Sequence, residues 1–280
     1  MPEAPAANLD EQARRRFRRA LLRWYRQNHR TLPWRAAPGE LANPYHVLVS
    51  EAMLQQTQVS TVIPYFRRFI EALPTVEALA GAEEQAVLRL WQGLGYYRRA
   101  RHLHAAARCI VHDHAGEMPT SAEALRRLPG VGPYTAGAIA SIAFGRPAPI
   151  LDGNVARVLA RWAGLTEPID TTRARKRLWA LAGELVRGRS PGELNQGLME
   201  LGATVCTKGA PRCLLCPVAR DCAANRDGLT ETLPVVSPRR KPREVTHHVV
   251  AVRKGGRYLF ERRGSDGLWA GMWQLPTVEG

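Results

Sequence analysis

The chain has 280 residues, 45% of them hydrophobic, which is enough for one large or two smaller folded domains and argues against disorder. Its formal net charge of +15 favours a polyanionic partner, although charge alone does not separate a nucleic-acid-binding protein from one that is only basic. No stretch of 18 residues is apolar throughout, and the first twenty residues lack an apolar core. We therefore expect no membrane span and no secretory signal. The expected form is a monomer in a reducing compartment, the cytoplasm.

Short helices separated by proline and glycine are predicted over most of residues 9–228. The first follows an arginine run and carries the apolar stripe Leu21, Leu22, Trp24 and Tyr25. Further helices are predicted near 45–59, 65–72, 76–80, 83–91, 97–113, 121–127, 134–144, 154–163, 173–187 and 192–203. The fold class is therefore mainly α, with residues 1–229 as the helical domain.

The character of the chain changes after this helical region. Residues 230–244 contain three prolines and a basic run, which predicts a semi-rigid linker. Residues 246–253 and 257–262 are predicted as two strands joined by a turn at Gly255-Gly256. Two strands are marginal alone, so residues 245–280 are expected to be the truncated start of a second, β-containing domain.

Residues 128–137 place a Gly-Val-Gly turn between two predicted helices. Gly130 and Gly132 let the backbone approach a phosphate, and the helix that begins near Pro133 presents free N–H groups to it. This arrangement is typical of a helix-hairpin-helix that grips a DNA backbone without reading bases. An ordinary helix–turn–helix corner is the alternative, and the basic charge of the chain favours DNA.

Four of the five cysteines lie within residues 206–222, with six, two and five residues between Cys206, Cys213, Cys216 and Cys222. Thiolates at this density bind a soft metal rather than form a secreted disulfide framework. Structural zinc sites commonly use two Cys-x-x-Cys pairs, whereas this loop has one pair and two single cysteines. The spacing alone leaves zinc and an iron–sulfur cluster both open.

Two acidic residues occur in contrasting settings. Glu51 shares the face of a predicted helix with Val47, Leu48 and Leu54, so burial should raise its pKa, unless it lies at the edge of that face. Asp152 ends an apolar run just before a helix and is an N-cap candidate, where N–H groups would keep it ionised. One protonated acid beside one carboxylate is the division of roles that glycosidic chemistry uses.

These motifs, in this order, resemble the MutY-type adenine DNA glycosylases of the endonuclease III superfamily. The resemblance covers residues 9–228 and rests on the hairpin, the four-cysteine loop and several short runs. Those runs are Leu32-Pro33-Trp34-Arg35, Asn43-Pro44-Tyr45, the stretch from Ser50 to Val59 with its Leu-Gln-Gln-Thr core, Gly93-Leu94-Gly95-Tyr96-Tyr97, and Ile150-Leu151-Asp152-Gly153-Asn154-Val155. Residues 245–280 resemble the opening of the family's Nudix-like domain, without a Nudix box.

The resemblance implies a helix-hairpin-helix fold of two helical modules with a DNA cleft between them, and a [4Fe–4S] cluster on the four cysteines. Glu51 would be the general acid and Asp152 the stabilising carboxylate. Trp34, Arg35, Leu54 and Tyr134 match positions that line an adenine pocket. Gln56, Thr57, Leu94 and Tyr96 match residues that wedge the duplex or touch the opposite base. Gly130, Val131 and Gly132 would hold DNA, and Gln196 stands where some relatives carry a glutamate that contacts adenine.

The implied reaction is monofunctional removal of adenine mispaired with 8-oxoguanine or guanine in double-stranded DNA. An endonuclease III-like enzyme for oxidised pyrimidines needs an amine nucleophile, and none of the lysines, at 176, 208, 241 and 254, lies in the hairpin. A non-catalytic DNA-binding iron–sulfur protein would not need Glu51 and Asp152 in these settings. A Nudix hydrolase would need the box that the chain lacks.

Overall fold

A computed structural model describes residues 10–238, 244–264, 269 and 271–279. The chain divides into one compact unit up to Ser237 and a second from Pro238 onward. The prediction of a mainly helical fold is confirmed. The helices of the first unit are α1 Glu11–Asn28, α2 Pro44–Leu54, α3 Val59–Ala72, α4 Val76–Gly81, α5 Glu84–Trp91, α6 Arg98–Asp113, α7 Ala122–Leu125, α8 Pro133–Ile142, α9 Gly153–Ala163, α10 Thr172–Val186, α11 Pro191–Thr204 and α12 Ala223–Arg226.

The helix predicted over residues 45–59 is wrong at its carboxyl end. Asn43 starts α2 by accepting hydrogen bonds from the backbone N–H groups of Tyr45 (2.9 Å) and His46 (3.2 Å), with Pro44 at the first helical position. The helix stops at Leu54 because the backbone turns at Gln56, whose φ of 58° is left-handed. The next helix, α3, begins at Val59 and runs through Pro64.

Two sets of helices build the helical unit. In one, α6 packs against α2, α4 and α5, and in the other, α11 packs against α1, α8 and α9. The contact between α9 and α11 is close, since a Cβ added to Gly202 would lie 2.7 Å from Cβ of Asn154. Gly202 therefore lets α11 approach the beginning of α9, where Asp152 is the N-cap. In the described part of the chain, no helix has the length and apolar character needed to cross a bilayer.

Residues 230–237, which fall in the predicted linker, contact the helical unit. Leu233 is buried, and its carbonyl accepts a hydrogen bond from Arg161 Nε at 2.8 Å. The backbone N–H of Ser237 donates to Asp170 Oδ1 at 3.0 Å. Linker residues 239–243 lie outside the described residues.

The described residues of the second unit form six short strands. They are β1 His247–Val249, β2 Arg253–Lys254, β3 Arg257–Tyr258, β4 Glu261–Arg262, β5 Trp273–Gln274 and β6 Thr277–Glu279. The turn at Gly255-Gly256 joins β2 to β3 as expected, but the single hairpin of 246–253 with 257–262 is wrong. The first segment changes partner, because β1 pairs with β6 and the N–H of Val250 donates to the carbonyl of Pro276. Residues 265–268 lie outside the described residues.

Candidate active site

A cleft with about 190 Å³ of internal space lies between the two sets of helices. Its walls come from α2, α8, α9 and α11 and from the segment between α1 and α2. Eight of the residues singled out in the sequence meet there. They are Trp34, Arg35, Glu51, Leu54, Thr57, Tyr134, Asp152 and Gln196.

Glu51 points into this cleft from α2 and is buried, with 6% of its surface exposed. Burial raises the pKa of Glu51 from 4.5 to about 7; the charge of Asp152 adds to the rise, while a hydrogen bond from Tyr134 and the charge of Arg35 oppose it. Glu51 is therefore a carboxyl group that holds its proton close to neutral pH, the property required of a general acid.

The Tyr134 hydroxyl stands beside this carboxyl group. It donates to Sδ of Met199 at 3.0 Å, and it is close enough to Glu51 to lower the pKa of that carboxyl group. Its single proton can be donated to one acceptor at a time, and an ionised carboxylate is a stronger acceptor than a thioether. Burial, followed by the nearby charges of Glu51 and Asp152, raises the pKa of Tyr134. The phenol therefore remains a neutral hydrogen-bond donor at physiological pH.

Asp152 is the N-cap of α9, as its position in the sequence suggested. Its Oδ1 accepts from the backbone N–H of Val155 at 2.7 Å, and its Oδ2 accepts from Asn154 Nδ2 at 3.2 Å. These bonds favour the ionised form, as expected, but burial opposes them. Burial raises the pKa of Asp152, although the bonds from Val155 and Asn154 and the charge of Arg157 lower it. Sequence can supply the donors, but not the extent to which the fold removes water.

Glu200 is a cleft residue that the sequence analysis missed. It lies on α11 four residues after Gln196 and is fully buried. Its two oxygens accept from Arg30 Nε at 2.6 Å and from Arg35 Nη2 at 2.7 Å. Burial alone would raise the pKa of Glu200, but the two guanidinium groups lower it on balance. The available signal was a glutamate within the apolar run Leu198-Met199-Glu200-Leu201.

The residues expected to wedge a duplex lie in two turns beside the cleft. Thr57 lines the cleft, whereas Gln56 is exposed at the left-handed position that follows α2. Tyr96 is 63% exposed and also has a positive φ, of 49°. Leu94 is buried beneath this second turn, so in this structure its side chain does not project toward solvent.

The predicted hairpin occupies the turn between α7 and α8. Gly130 has a φ of +74°, and a Cβ placed on it would lie 2.5 Å from Cβ of His102 on α6. Glycine is therefore required there by conformation and by space. Gly132 is the N-cap of α8, Pro133 is its first residue, and a Cβ on Gly132 would meet no atom within 4 Å. Val131 between them is buried.

The four clustered cysteines line one small cavity after α11. Arg161 Nη1 lies 3.4 Å from Sγ of Cys206, and the Cys222 thiol lies 3.5 Å from the carbonyl of Arg161. Among the described residues, no group of three or more His, Cys, Asp and Glu side chains meets the geometry of a metal site. Four thiols facing a common cavity nevertheless form a donor set of the kind that soft metals and iron–sulfur clusters use.

Comparison with known proteins agrees with the fold. Residues 49–184 match the HhH-GPD superfamily of base excision DNA repair proteins. The structure of a thermostable thymine-DNA glycosylase is 28% identical, covers 79% of this chain and all of its own, and superposes with a TM-score of 0.70. The class defined by fold and cleft is therefore that of the helix-hairpin-helix base excision repair proteins.

Two curated relatives identify the family within this class. The adenine DNA glycosylase of Homo sapiens is 40% identical over 94% of this chain and 57% of its own length. That of Schizosaccharomyces pombe is 38% identical over 94% of this chain and 69% of its own length. The chain belongs to the adenine DNA glycosylase family. It spans between 48% and 60% of the length of the human, rat, mouse and Arabidopsis thaliana relatives.

Proposed function

We propose that this chain hydrolyses the N-glycosidic bond of adenine mispaired with 8-oxoguanine or guanine in double-stranded DNA. The observation that carries the proposal is the buried carboxyl pair: Glu51, with a pKa of about 7, faces the same cleft as Asp152. The target nucleotide must leave the base stack to reach a cleft of this depth, at a cost of a few kcal/mol that a mispair lowers. Family membership supports adenine as the base.

Glu51 acts as the general acid. Adenine leaves poorly as an anion, so the carboxylic acid of Glu51 protonates N7 while the bond between C1′ and N9 breaks and its electron pair passes to the base. The leaving group is then neutral adenine. Tyr134 donates its hydroxyl proton toward the carboxylate that remains on Glu51, which stabilises that charge in a buried site.

Asp152 acts as the stabilising carboxylate. Loss of the base leaves positive charge on the deoxyribose, and a negative group in a buried cleft stabilises that charge strongly. The hydrogen bonds from Val155 and Asn154 orient both oxygens of Asp152. Water then adds to C1′ and its proton passes to the carboxylate of Glu51, which restores the acid, completes hydrolysis and leaves an abasic site.

We propose that the enzyme is monofunctional, because no amine lines the cleft among the described residues. Schiff-base chemistry needs a lysine or an amino terminus at C1′, and the described residues that line the cleft include no lysine. The hairpin position nearest to Glu51 is held by Tyr134, whose phenol cannot form an imine. We therefore expect an intact strand that carries an abasic site.

DNA binding is proposed for the hairpin and for the basic surface of the chain. The helix α8 begins without a side-chain cap at Gly132, which leaves its first backbone N–H groups available to a phosphate, and the net charge of +15 attracts phosphates over a longer range. We also propose that the catalytic domain is the helical unit and that residues 245–280 open a Nudix-like domain.

The four cysteines are proposed to hold a [4Fe–4S] cluster through Cys206, Cys213, Cys216 and Cys222. When bound, such a cluster would tie four positions of the loop together. Cys213→Ser should lower the iron and sulfide content of the purified protein, while Cys109→Ser, which changes the cysteine outside the loop, should leave it unchanged. A protein that contains stoichiometric zinc and no sulfide would refute the cluster.

The decisive experiment measures adenine release under single-turnover conditions from a duplex with one adenine opposite 8-oxoguanine. Glu51→Gln should slow release by about 10²–10⁴-fold, the range of general acid catalysis, while duplex binding is retained. Glu71→Gln, which alters an exposed glutamate on α3, is the matched control. Near-normal release by Glu51→Gln would contradict the proposed role, and release of oxidised pyrimidines instead of adenine would favour the endonuclease III-like alternative.

A further inference from the structure

One guanidinium group joins the two turns that lie beside the cleft. Arg99, in the first turn of α6, reaches across to the end of α2 and to the turn after α5. Its Nη1 donates to the carbonyls of Ala52 (3.1 Å), Met53 (2.8 Å) and Gln55, and its Nη2 donates to Thr57 Oγ1 (3.3 Å) and to the carbonyls of Leu94 (3.1 Å) and Gly95 (3.2 Å). A single side chain therefore serves six acceptors on two segments that are separate in sequence.

Both turns have a backbone that needs such support. The last carbonyls of a helix have no intrahelical partner, and α2 has no basic residue in its own last turn. Gln56 and Tyr96 adopt left-handed φ values of 58° and 49°, which residues other than glycine rarely hold without compensating contacts. Arg99 supplies the missing donors at the carbonyls next to these two positions.

The surroundings of Arg99 suit a planar guanidinium. Its charged carbon lies 5.3 Å from the centroid of the Trp91 ring and 5.5 Å from that of Tyr96. Aromatic faces attract a cation at this range, and the flat fork of arginine can donate in two directions at once. Lysine would bring the charge, but it has one nitrogen and could not reach both turns.

We infer that Arg99 is a positioning residue that fixes the turns 55–57 and 93–96 as one rigid surface beside Glu51. This inference rests on the proposed function and on the role that the resemblance implies for Gln56 and Tyr96, exposed side chains that would wedge the duplex while adenine is opened. Glu51 is one helical turn before Gln55, so the turn 55–57 lies next to the acid that the opened base must reach. Arg99 itself does not line the cleft.

The consequence is a defect in opening the base rather than in breaking the bond. Extruding a base from a duplex is energetically costly, so poorly placed wedging side chains can lower the fraction of opened base by about 10²-fold. Arg99→Lys and Arg99→Gln should therefore both slow adenine release from the 8-oxoguanine duplex, by about 10²-fold. On a duplex in which the adenine faces an abasic site, and is therefore easier to open, the loss should be at least tenfold smaller.

The test compares single-turnover release from both duplexes for the 280-residue chain and its variants. Arg98→Lys and Arg98→Gln are the matched controls, because Arg98 is the exposed neighbour whose Nε bonds only to His102, at 3.4 Å. A second readout, made in the Glu51→Gln background, follows 2-aminopurine at the target position, whose fluorescence rises when the base unstacks. Arg99→Lys should reduce that rise in complexes that binding measurements show to be fully formed.

The possible outcomes distinguish the positioning role of Arg99 from partial unfolding and from failure of the proposed function. Partial unfolding of a variant lowers release from both duplexes by the same factor, so an equal loss on the two substrates would overturn the positioning role. Wild-type behaviour of Arg99→Lys would overturn it as well, since charge alone would then suffice. If the unaltered chain releases no adenine, the proposed function fails and the inference fails with it. If release is normal and Arg99 variants match Arg98 variants, only the inference fails.

Discussion

Replacing Glu51 by glutamine should stabilise the folded chain at alkaline pH. Burial raises the pKa of Glu51 from 4.5 to about 7, so between these values the folded state holds a proton that the unfolded state has released. Folding stability then falls as the pH rises through this window, and the loss is complete above pH 7. At about 1.4 kcal/mol for each pKa unit, ionised Glu51 costs roughly 3 kcal/mol of folding free energy. Glutamine has no proton to lose and avoids this cost.

The assay is urea unfolding of both proteins at pH 5.5 and pH 8.5. The advantage of Glu51→Gln should grow by about 2 kcal/mol between these two conditions. Glu200→Gln is the control, because the fold shifts the pKa of Glu200 in the opposite direction. The pKa of Glu200 is lowered by Arg30 and Arg35, so its contribution to stability is fully present above 4.5 and is lost only as the pH falls through the lowered folded pKa. Glu200→Gln should therefore be destabilised equally at both pH values. An advantage of Glu51→Gln that does not change with pH would refute the reasoning.

Three further outcomes are expected. Adenine release should fall about tenfold per pH unit above pH 7, because only the protonated form of Glu51 can act as the acid; a rate that rises through this range under single-turnover conditions would contradict that role. Gly130→Ala should weaken folding, since its Cβ would press on His102 at a positive φ, whereas Gly132→Ala should leave the free energy of unfolding nearly unchanged; equal losses in urea unfolding would refute the steric argument. Borohydride should trap no covalent complex between the chain and its substrate, because Tyr134 supplies no amine; efficient trapping would reveal a lyase.

The sequence predicted those parts of the site that depend on local patterns. Glu51 on an apolar helix face and Asp152 before a helix are both visible within one turn of chain, and both residues face the cleft. The partners of Glu200 are 165 and 170 residues away, and no local pattern indicates such a distance. The role of Arg99 could not be predicted from the sequence for a different reason. Most of its acceptors are backbone carbonyls, which every residue possesses.

Charge state proved harder to predict than position. Counting N–H donors suggested that Asp152 would stay ionised easily, but the fold buries it deeply enough that its pKa rises. The same burial acts on Glu51 and Glu200, yet the pKa of the first rises to about 7 and that of the second falls. Burial by itself therefore does not decide which carboxyl group keeps its proton in this cleft.

The position of Arg35 decides which of the two carboxyl groups keeps its proton. The Arg35 side chain is buried, with 9% of its surface exposed. Its guanidinium donates to Glu200 at 2.7 Å rather than to Glu51. Arg30 binds the other oxygen of Glu200, so the buried charge of Glu200 is compensated on both sides. Glu51 receives only the weaker, more distant influence of Arg35 and a hydrogen bond from neutral Tyr134. Because both arginines donate to Glu200, no cation of the described residues forms an ion pair with Glu51, and the cleft retains a carboxylic acid where the proposed reaction requires one.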